Sequence, residues 1–199
     1  MAETGHRPKK LCFVTIGATA SFDSLISACL EPRFLEALAG TGYTHLVVQY
    51  GKEGKGLYDR AVSKSSRVKD LGISITGFDF NRNGLGQEMR AAKGESGGVE
   101  GVVISHAGSG SILDALRIDV PLVVVPNPNL LDNHQVELAE ALEEQGYVVH
   151  GRLNDLSAAI AQSEELRKRH KQWPPVNSGQ HRRARGLAGV MDEEMGFLD

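Results

Sequence analysis

Short apolar runs alternate along this chain with segments of helical periodicity, and this alternation limits the possible folds more than any other feature. The first run, residues 11–16, is almost wholly apolar and is followed by Gly17. A continuous apolar run of this length predicts a strand that is buried on both faces of a sheet. Five further runs of similar character predict strands at residues 46–50, 73–78, 102–104, 122–125 and 147–149.

Between these runs, apolar residues recur every three or four positions, as they do on one face of a helix. Residues 23–38 show this period, and Pro32 predicts a break within the helix. The other predicted helices cover residues 57–62, 109–117, 132–144 and 155–161. Residues 81–100 are polar and rich in glycine, which predicts a long exposed loop with one candidate short helix at 85–92. The alternation predicts an α/β fold, a Rossmann-like parallel sheet flanked by helices on both faces.

The composition of the chain changes after residue 165. With 199 residues the chain has the length of one ordinary domain. Residues 166–185 carry seven Lys or Arg and no acid, and residues 179–198 carry apolar side chains at helical spacing. We therefore predict a domain over 1–165, then a basic linker and a C-terminal amphipathic helix over 166–199. The helix would dock on a partner or pack on its own sheet, and the basic stretch would face lipid headgroups or solvent.

Composition and charge exclude several classes of protein. The net charge of −3 argues against a nucleic-acid-binding protein. No apolar run approaches 18 residues and the first ten residues are polar, so we expect neither a membrane span nor a secretory signal. Cys12 and Cys29 form no CxxC pair and no zinc-ligand spacing. A disulfide scaffold and a structural zinc site are thereby excluded, and the free thiols fit a cytoplasmic protein.

The strongest candidate site follows the predicted strand at 102–104. His106, Gly108, Ser109, Gly110 and Ser111 lead into the helix, where free amides and the helix dipole favour an anion such as a phosphate. His106 can donate to a phosphate, and Asp114, about one turn into the helix, can accept from ribose hydroxyls. On residues alone, a plain turn with serine as the helix cap remains the alternative.

Known phosphate and nucleophile motifs do not fit. The dinucleotide fingerprint GxGxxG fails at Leu113, and the nucleophile pattern GxSxG fails around Ser109. Residues 51–56 resemble a Walker loop but lack its final Lys-Ser/Thr pair. We interpret this glycine-lysine segment as a solvated turn, with a place on the rim of the site as the alternative.

Two further segments follow strands of the same sheet. Asp132, Asn133, His134 and Gln135 begin a predicted helix, and their amide and imidazole groups suit sugar hydroxyls and an acetamide, or simply cap the helix. Gly17 and Thr19 lie in a run of small residues after the first strand, where a plain turn is the alternative. Because the carboxyl ends of parallel strands meet at one edge, the three segments are expected to form one pocket.

The ordered motifs SHAGSGSILDAL, PLVVVPNP and DNHQ, with the opening FVTIGATASFDSLI, resemble the donor-binding half of GT-B glycosyltransferases. The resemblance covers about residues 10–160. It is closest to the family 28-like catalytic subunits of the UDP-N-acetylglucosamine transferase of dolichol-linked oligosaccharide assembly. The resemblance implies inverting transfer of GlcNAc from UDP-GlcNAc to GlcNAc-diphosphodolichol at the cytosolic face of the endoplasmic reticulum.

The same resemblance implies a role for each matched position. Residues 108–111 would bind the diphosphate, with His106 nearby. Asp114 would bind the ribose. The sugar would be bound by Asp132, Asn133 and Gln135. Gly17 and Thr19 would line the cleft where donor meets acceptor, although Ala18 stands where the family carries a hydroxyl. A separate membrane-anchored subunit would bind the acceptor and supply the base, for which His134 is the one candidate in this chain. Neither a cofactor nor a metal is expected.

From the residues alone, two other functions share these features. A non-catalytic regulatory module that binds a nucleotide sugar would need the same sheet and the same phosphate-binding turn. A complete enzyme acting on a nucleotide sugar, such as an epimerase, would need them as well. Only an assay for transfer of labelled GlcNAc to a lipid acceptor separates these two functions from that of a GlcNAc transferase subunit.

Overall fold

Six parallel strands form one sheet at the centre of the molecule. The computed structural model describes residues 7–18, 20–64, 70–95, 97–129 and 134–172. The strands are β1 (Lys10–Thr15), β2 (His45–Gln49), β3 (Ser74–Phe78), β4 (Val99–His106), β5 (Leu122–Val125) and β6 (Val149–His150). Their order in the sheet is β3-β2-β1-β4-β5-β6, with every neighbouring pair parallel. The predicted Rossmann-like α/β class is confirmed.

Helices cover both faces of this sheet. They are α1 (Asp23–Cys29), α2 (Pro32–Gly40), α3 (Lys55–Lys64), α4 (Gly86–Lys93), α5 (Ser109–Ile118), α6 (His134–Glu144) and α7 (Leu156–Gln172). A short 3-10 helix, Leu153–Asp155, precedes α7. The break predicted at Pro32 is confirmed, because this proline begins α2 after α1 has ended at Cys29. None of the helices among the described residues is long and apolar enough to cross a lipid bilayer.

Alternate residues of β1 enter two separate cores, as expected of a strand that is buried on both faces. Cys12 and Val14 pack in the core that lies under α1, α2, α3 and α7. Leu11 and Phe13 pack in the opposite core, under α4, α5 and α6. Cys29 joins Cys12 in the first core, and burial raises the pKa of both thiols above the ordinary value. Both cysteines therefore act as apolar core residues.

The prediction of a long exposed loop over residues 81–100 was wrong. The candidate short helix within it is α4, and β4 already begins at Val99. Met89 and Ala92 are fully buried against the sheet. These two residues, with Leu85 and Ala91 packed beside them, suffice to dock a helix that is otherwise mostly polar. Because the segment is rich in glycine and charged residues, its sequence pattern did not show this apolar helix face clearly.

The domain boundary predicted at 165/166 falls inside a continuous helix. Residues 166–172 complete α7 and do not form a linker. Arg167, from the predicted basic stretch, is only 9% exposed. The C-terminal helix predicted over 179–198 lies outside the described residues, so its place stays a prediction.

Arg167 anchors α7 in a group of charged and polar residues that we call the basal cluster. The cluster lies at the amino-terminal edge of the sheet and contains Lys10, Tyr43, Glu100, Glu164 and Arg167. The Arg167 guanidinium donates to the Gly101 carbonyl oxygen at 3.0 Å, to the Tyr43 hydroxyl at 3.1 Å and to Glu164. The Lys10 ammonium donates to the same Glu164 carboxylate at 2.9 Å. These bonds tie the last described helix to the starts of β1 and β4.

The strand order fixes where a ligand can bind. From β1 the chain proceeds through β2 to β3 at one end of the sheet, and from β4 it proceeds to β6 at the other. The loops after the neighbouring strands β1 and β4 therefore diverge and leave a crevice at their carboxyl ends. Open α/β sheets bind ligands at this kind of topological switch point.

Candidate active site at the β1–β4 switch point

The N-terminal turn of α5 presents backbone amides at this crevice. Gly108 is the cap residue, with extended backbone, and no side chain caps the helix. The alternative of a serine cap is therefore wrong for the described structure. Ser109 and Ser111 are half-buried and Gly110 is exposed, so the first turn of α5 is accessible to solvent. An uncapped helix N-terminus of this kind suits an anionic group.

His106, the last residue of β4, lies between two glycines. A β-carbon added to Gly17 would lie 2.5 Å from its Nε2, and one added to Gly108 would lie 2.7 Å from its Cε1. Both distances are too short for a real contact, so a β-carbon at either position would force the His106 ring to shift. The sheet thus packs the imidazole against the loop after β1 on one side and the start of α5 on the other.

Burial also sets the charge of this histidine. Its Nδ1 atom is buried and has no hydrogen-bond partner among the described residues. Desolvation lowers the pKa of His106 below its ordinary value, which favours the neutral ring at pH 7. A neutral imidazole keeps one N–H that can donate to a phosphate oxygen and adds no positive charge of its own.

A buried pair of polar side chains holds Gly17 in place. The Thr15 hydroxyl donates to Oε1 of Gln49 at 2.5 Å and accepts from the Gly17 amide at 3.1 Å. The Gln49 side-chain amide donates to the carbonyl oxygens of Gly17 at 2.8 Å and Asp79 at 3.3 Å. We call Thr15 and Gln49 the brace, because they join the ends of β1, β2 and β3. Gly17 has a φ of +77°, a conformation that glycine adopts without strain.

The loop after β5 is tied to the loop after β1. Asn127 is 6% exposed, and its side-chain amide donates to the Ser21 carbonyl oxygen at 3.3 Å. Gln135, at the start of α6, accepts from the Asn127 backbone amide at 2.9 Å through Oε1. That bond uses the carbonyl oxygen of Gln135 and leaves its NH₂ group as the part that can reach a ligand. Loops from three strand ends thus meet, as the sequence predicts.

The remaining predicted residues differ in their surroundings. Asp114 is exposed on α5, with one carboxylate oxygen 3.9 Å from Arg117, so it is free to accept hydrogen bonds from a ligand. His134 is exposed, and its Nδ1 lies 3.7 Å from Glu137. Thr19, Asp132 and Asn133 lie outside the described residues, and their roles stay predictions.

A cavity of about 290 Å³ adjoins the crevice on the β2 side, and we call it the β1–β2 cavity. It is lined by residues 16–18, 20 and 21, which follow β1, and by residues 50–54, which follow β2. Gly17 and Lys52 are among its lining residues. The glycine-lysine turn, interpreted from sequence as a solvated turn, therefore borders the candidate site.

Thr15, Gln49 and Asn127 are the residues that sequence analysis missed. Each is a buried polar residue at or just beyond the carboxyl end of an apolar strand. A polar side chain in that position, in a strand otherwise buried on both faces, is the signal that could have found them. In the part of the chain that the structure describes, no group of three or more His, Cys, Asp or Glu residues could hold a metal ion.

Comparison with known proteins identifies the family. The glycosyltransferase family 28 C-terminal domain matches residues 11–182. The chain belongs to glycosyltransferase family 28. As the sequence predicts, this family 28 chain is a glycosyltransferase, and the crevice between β1 and β4 is its candidate active site.

Relatives within family 28 match the chain over most of its length. The UDP-N-acetylglucosamine transferase subunit ALG13 of Cryptococcus neoformans var. neoformans serotype D is 37% identical over 199 residues, covering 92% of this chain and 96% of the relative. The protein of the same name from Eremothecium gossypii is 35% identical over 173 residues, covering 77% of this chain and 81% of the relative. An NMR solution structure of ALG13 has a TM-score of 0.62 at 27% identity, covering 87% of this chain and 94% of that one. The resemblance stated from sequence to a UDP-N-acetylglucosamine transferase subunit is confirmed.

Proposed function

We propose that this chain is the donor-binding, catalytic subunit of an inverting N-acetylglucosaminyltransferase that uses UDP-GlcNAc. The observation that carries the proposal is the meeting of Gly17, His106 and the uncapped N-terminus of α5 at one switch point. The names of the family 28 relatives support it, because they are called UDP-N-acetylglucosamine transferase subunits.

Each part of the donor has a counterpart in the site. The first-turn amides of α5, with Ser109 and Ser111, bind the diphosphate, and the neutral His106 donates to one of its oxygens. Asp114, exposed on the same helix, accepts from the ribose hydroxyls. The NH₂ group of Gln135, together with Asp132 and Asn133, binds the GlcNAc hydroxyls and acetamide.

The chemistry follows from where the diphosphate binds. An acceptor hydroxyl oxygen bonds to the anomeric carbon as the bond from that carbon to the UDP oxygen breaks, and a base takes the hydroxyl proton. Negative charge then grows on the departing UDP, next to the amides of α5. Preorganised dipoles stabilise such charge, so we expect no metal requirement. EDTA should leave the rate of transfer unchanged.

The acceptor and the base are expected from a second subunit. The proposed acceptor is GlcNAc-diphosphodolichol, and the product is the chitobiose-diphosphodolichol formed at the cytosolic face of the endoplasmic reticulum. A membrane-anchored partner would recruit this chain there and present the lipid. The word "subunit" in the relatives' names supports such a partner. His134 remains the candidate base within this chain only if the partner supplies none.

The test is transfer of radiolabelled GlcNAc from UDP-GlcNAc to the lipid acceptor, with the chain alone and with its membrane partner. We expect activity only in the pair, and a loss of activity when Gly108 is replaced by Ala. Activity of the purified chain alone contradicts the need for a partner. A folded, UDP-binding pair that transfers no sugar makes the chain a non-catalytic nucleotide-sugar-binding module.

A further inference from the structure

We infer that the β1–β2 cavity binds the diphosphate of the acceptor that the partner subunit presents, and that Lys52 recognises this anionic group. This inference rests on the proposed glycosyl transfer. The cavity is lined by two loops that follow neighbouring strands, and it has a volume of about 290 Å³. That volume lies near the lower end of the range for small-molecule sites.

The position of the cavity suits an acceptor because Gly17 separates it from the donor site. Gly17 lines the cavity, and it also lies against the His106 ring, beside the N-terminus of α5. The strand order β2-β1-β4 places the cavity and the α5 turn on opposite sides of the loop after β1. In an inverting transfer the acceptor oxygen attacks from the side opposite to the leaving diphosphate. A substrate in the β1–β2 cavity would approach from that side.

Lys52 supplies the charge that an anion needs. It is exposed, lines the cavity, and forms no ion pair within the described part of the chain. The next lysine differs, because Lys55 donates to Asp59 at 2.7 Å. Glu53 also lines the cavity, so the anion is expected on the Lys52 side of it.

The loop that carries Lys52 is closely packed and depends on two glycines. Gly51 has a φ of +72°, and a β-carbon at Gly54 would overlap the Tyr50 carbonyl oxygen and approach Ile26 to 3.0 Å. Gly17 at the cavity wall is bound by two hydrogen bonds of the brace, one from its amide to the Thr15 hydroxyl and one from the Gln49 side-chain amide to its carbonyl oxygen. A third bond joins Thr15 to Gln49. The anion would therefore meet a cavity that is already formed.

The first experiment uses the isolated chain, two ligands and amide chemical shifts measured by NMR. UDP is added to saturation, which should perturb the amides of Gly108 to Ser111 and tests the proposed donor site. Inorganic pyrophosphate is then added. We expect it to perturb Gly17, Gly51 and Gly54 in the wild-type chain and in Lys55→Gln, but not in Lys52→Gln.

The second experiment uses the chain with its partner subunit. Lys52→Gln should raise the KM for the lipid acceptor about fivefold, as expected for one solvent-exposed charge contact, and leave the KM for UDP-GlcNAc unchanged. Glu53→Gln should lower the acceptor KM, and Lys55→Gln should change neither value.

The outcomes separate this inference from the proposed function. If UDP binds at α5 while pyrophosphate perturbs only that turn, the cavity does not bind the anion and the inference is overturned. An increase in the KM for UDP-GlcNAc in Lys52→Gln, or an unchanged KM for the acceptor, overturns it as well. Failure of UDP itself to perturb residues 108–111 refutes the proposed donor site instead.

Discussion

Gly17 lies so close to the imidazole of His106 that a β-carbon on the glycine would come within 2.5 Å of Nε2. The end of β4 and the loop after β1 are therefore packed to the limit that glycine allows. Because His106 also lies against Gly108, a shift of its ring would move the N-terminal turn of α5. The geometry of the candidate site thus depends on this one contact.

Gly17→Ala should reduce both stability and activity. The added methyl group displaces the His106 ring and also forces alanine to a φ of +77°. We expect the free energy of unfolding to fall by about 2–4 kcal/mol, the sum of overpacking and backbone strain, and transfer to fall at least tenfold. Urea unfolding and the radiolabel assay measure the two effects.

Gly42→Ala is the matched control for this substitution. Gly42 has a φ of +81°, and its β-carbon would meet nothing within 4 Å. In Gly42→Ala the free energy of unfolding should fall by only about 1 kcal/mol, the cost of backbone strain, and activity should be unchanged. Equal losses of stability in the two variants would mean that His106 moves aside freely.

Gln49→Glu should destabilise the chain in a pH-dependent way. The new carboxylate oxygen would face the carbonyl oxygens of Gly17 and Asp79, which now accept from the Gln49 NH₂ group. Burial and repulsion would raise the pKa of this glutamate in the folded chain. The variant should therefore be most stable below the ordinary glutamate pKa and lose stability as pH rises through the folded pKa.

Urea unfolding of Gln49→Glu and wild type at pH 5 and pH 8 checks this expectation. At pH 8 the variant should be less stable by about 1–3 kcal/mol, the cost of an unsatisfied buried polar group. Thr15→Val should lose stability without the pH dependence, and Thr15→Ser, which keeps the hydroxyl, should stay near wild type. A pH-independent loss in Gln49→Glu contradicts the brace as described.

Asp114→Ala should weaken use of the donor without affecting folding. The exposed carboxylate makes one long ion pair, to Arg117 at 3.9 Å, so its removal leaves the core untouched. A lost hydrogen bond between a charged carboxylate and ribose corresponds to about 1.5–3 kcal/mol, which should appear in kcat/KM for UDP-GlcNAc. Arg117→Gln removes the ion pair alone and should keep wild-type kinetics. Unchanged donor kinetics in Asp114→Ala would remove this residue from the site.

Acid should unfold the chain partly through Glu164. Burial by itself would raise the pKa of Glu164, but hydrogen bonds from Lys10, Arg167 and Tyr43 outweigh it and hold the pKa below 4.5. This contribution to stability is present above the unfolded pKa and is lost as pH falls through the folded one. The free energy of unfolding should therefore fall below about pH 5, and less steeply in Glu164→Gln.

Arg167→Met tests the same cluster at neutral pH. Removing the guanidinium leaves Glu164 and Glu100 with less positive charge nearby, so we expect a loss of about 3–5 kcal/mol. Lys168→Met changes an exposed lysine whose ion-pair partner among the described residues is Glu165, and it should alter stability by less than about 1 kcal/mol. Thermal unfolding followed by circular dichroism compares the two.

Local patterns predicted most of the fold, because each strand and most helices carry their own periodicity. The run at residues 11–16 predicts β1, and Pro32 predicts the break between α1 and α2. The same patterns gave α4 only as a candidate helix inside a predicted loop, because few apolar residues, Met89 and Ala92 chief among them, carry its contact with the sheet. They failed for Arg167, since sequence shows the charge but not its partners Tyr43, Glu164 and Gly101.

The sequence predicted those parts of the candidate site whose residues lie together in one short segment. Residues 106–111 have the composition of an anion-binding turn, and the structure brings them to the switch point. The brace could not be read in the same way, because Thr15 and Gln49 are 34 residues apart and meet only through strand pairing. His106 lay in the predicted turn, but its contact with Gly17 depends on the neighbouring positions of β1 and β4.

The direction of α7 has a consequence for any assembly that includes this chain. The helix starts beyond β6, at the ligand-binding edge, and its Arg167 reaches the start of β4 at the far edge. Its 17 residues span about 25 Å. A protein tethered only to the end of α7 would thus begin on the wrong side of the molecule for chemistry. To complete the site, such a protein must extend along a face of the sheet or bind the crevice loops directly.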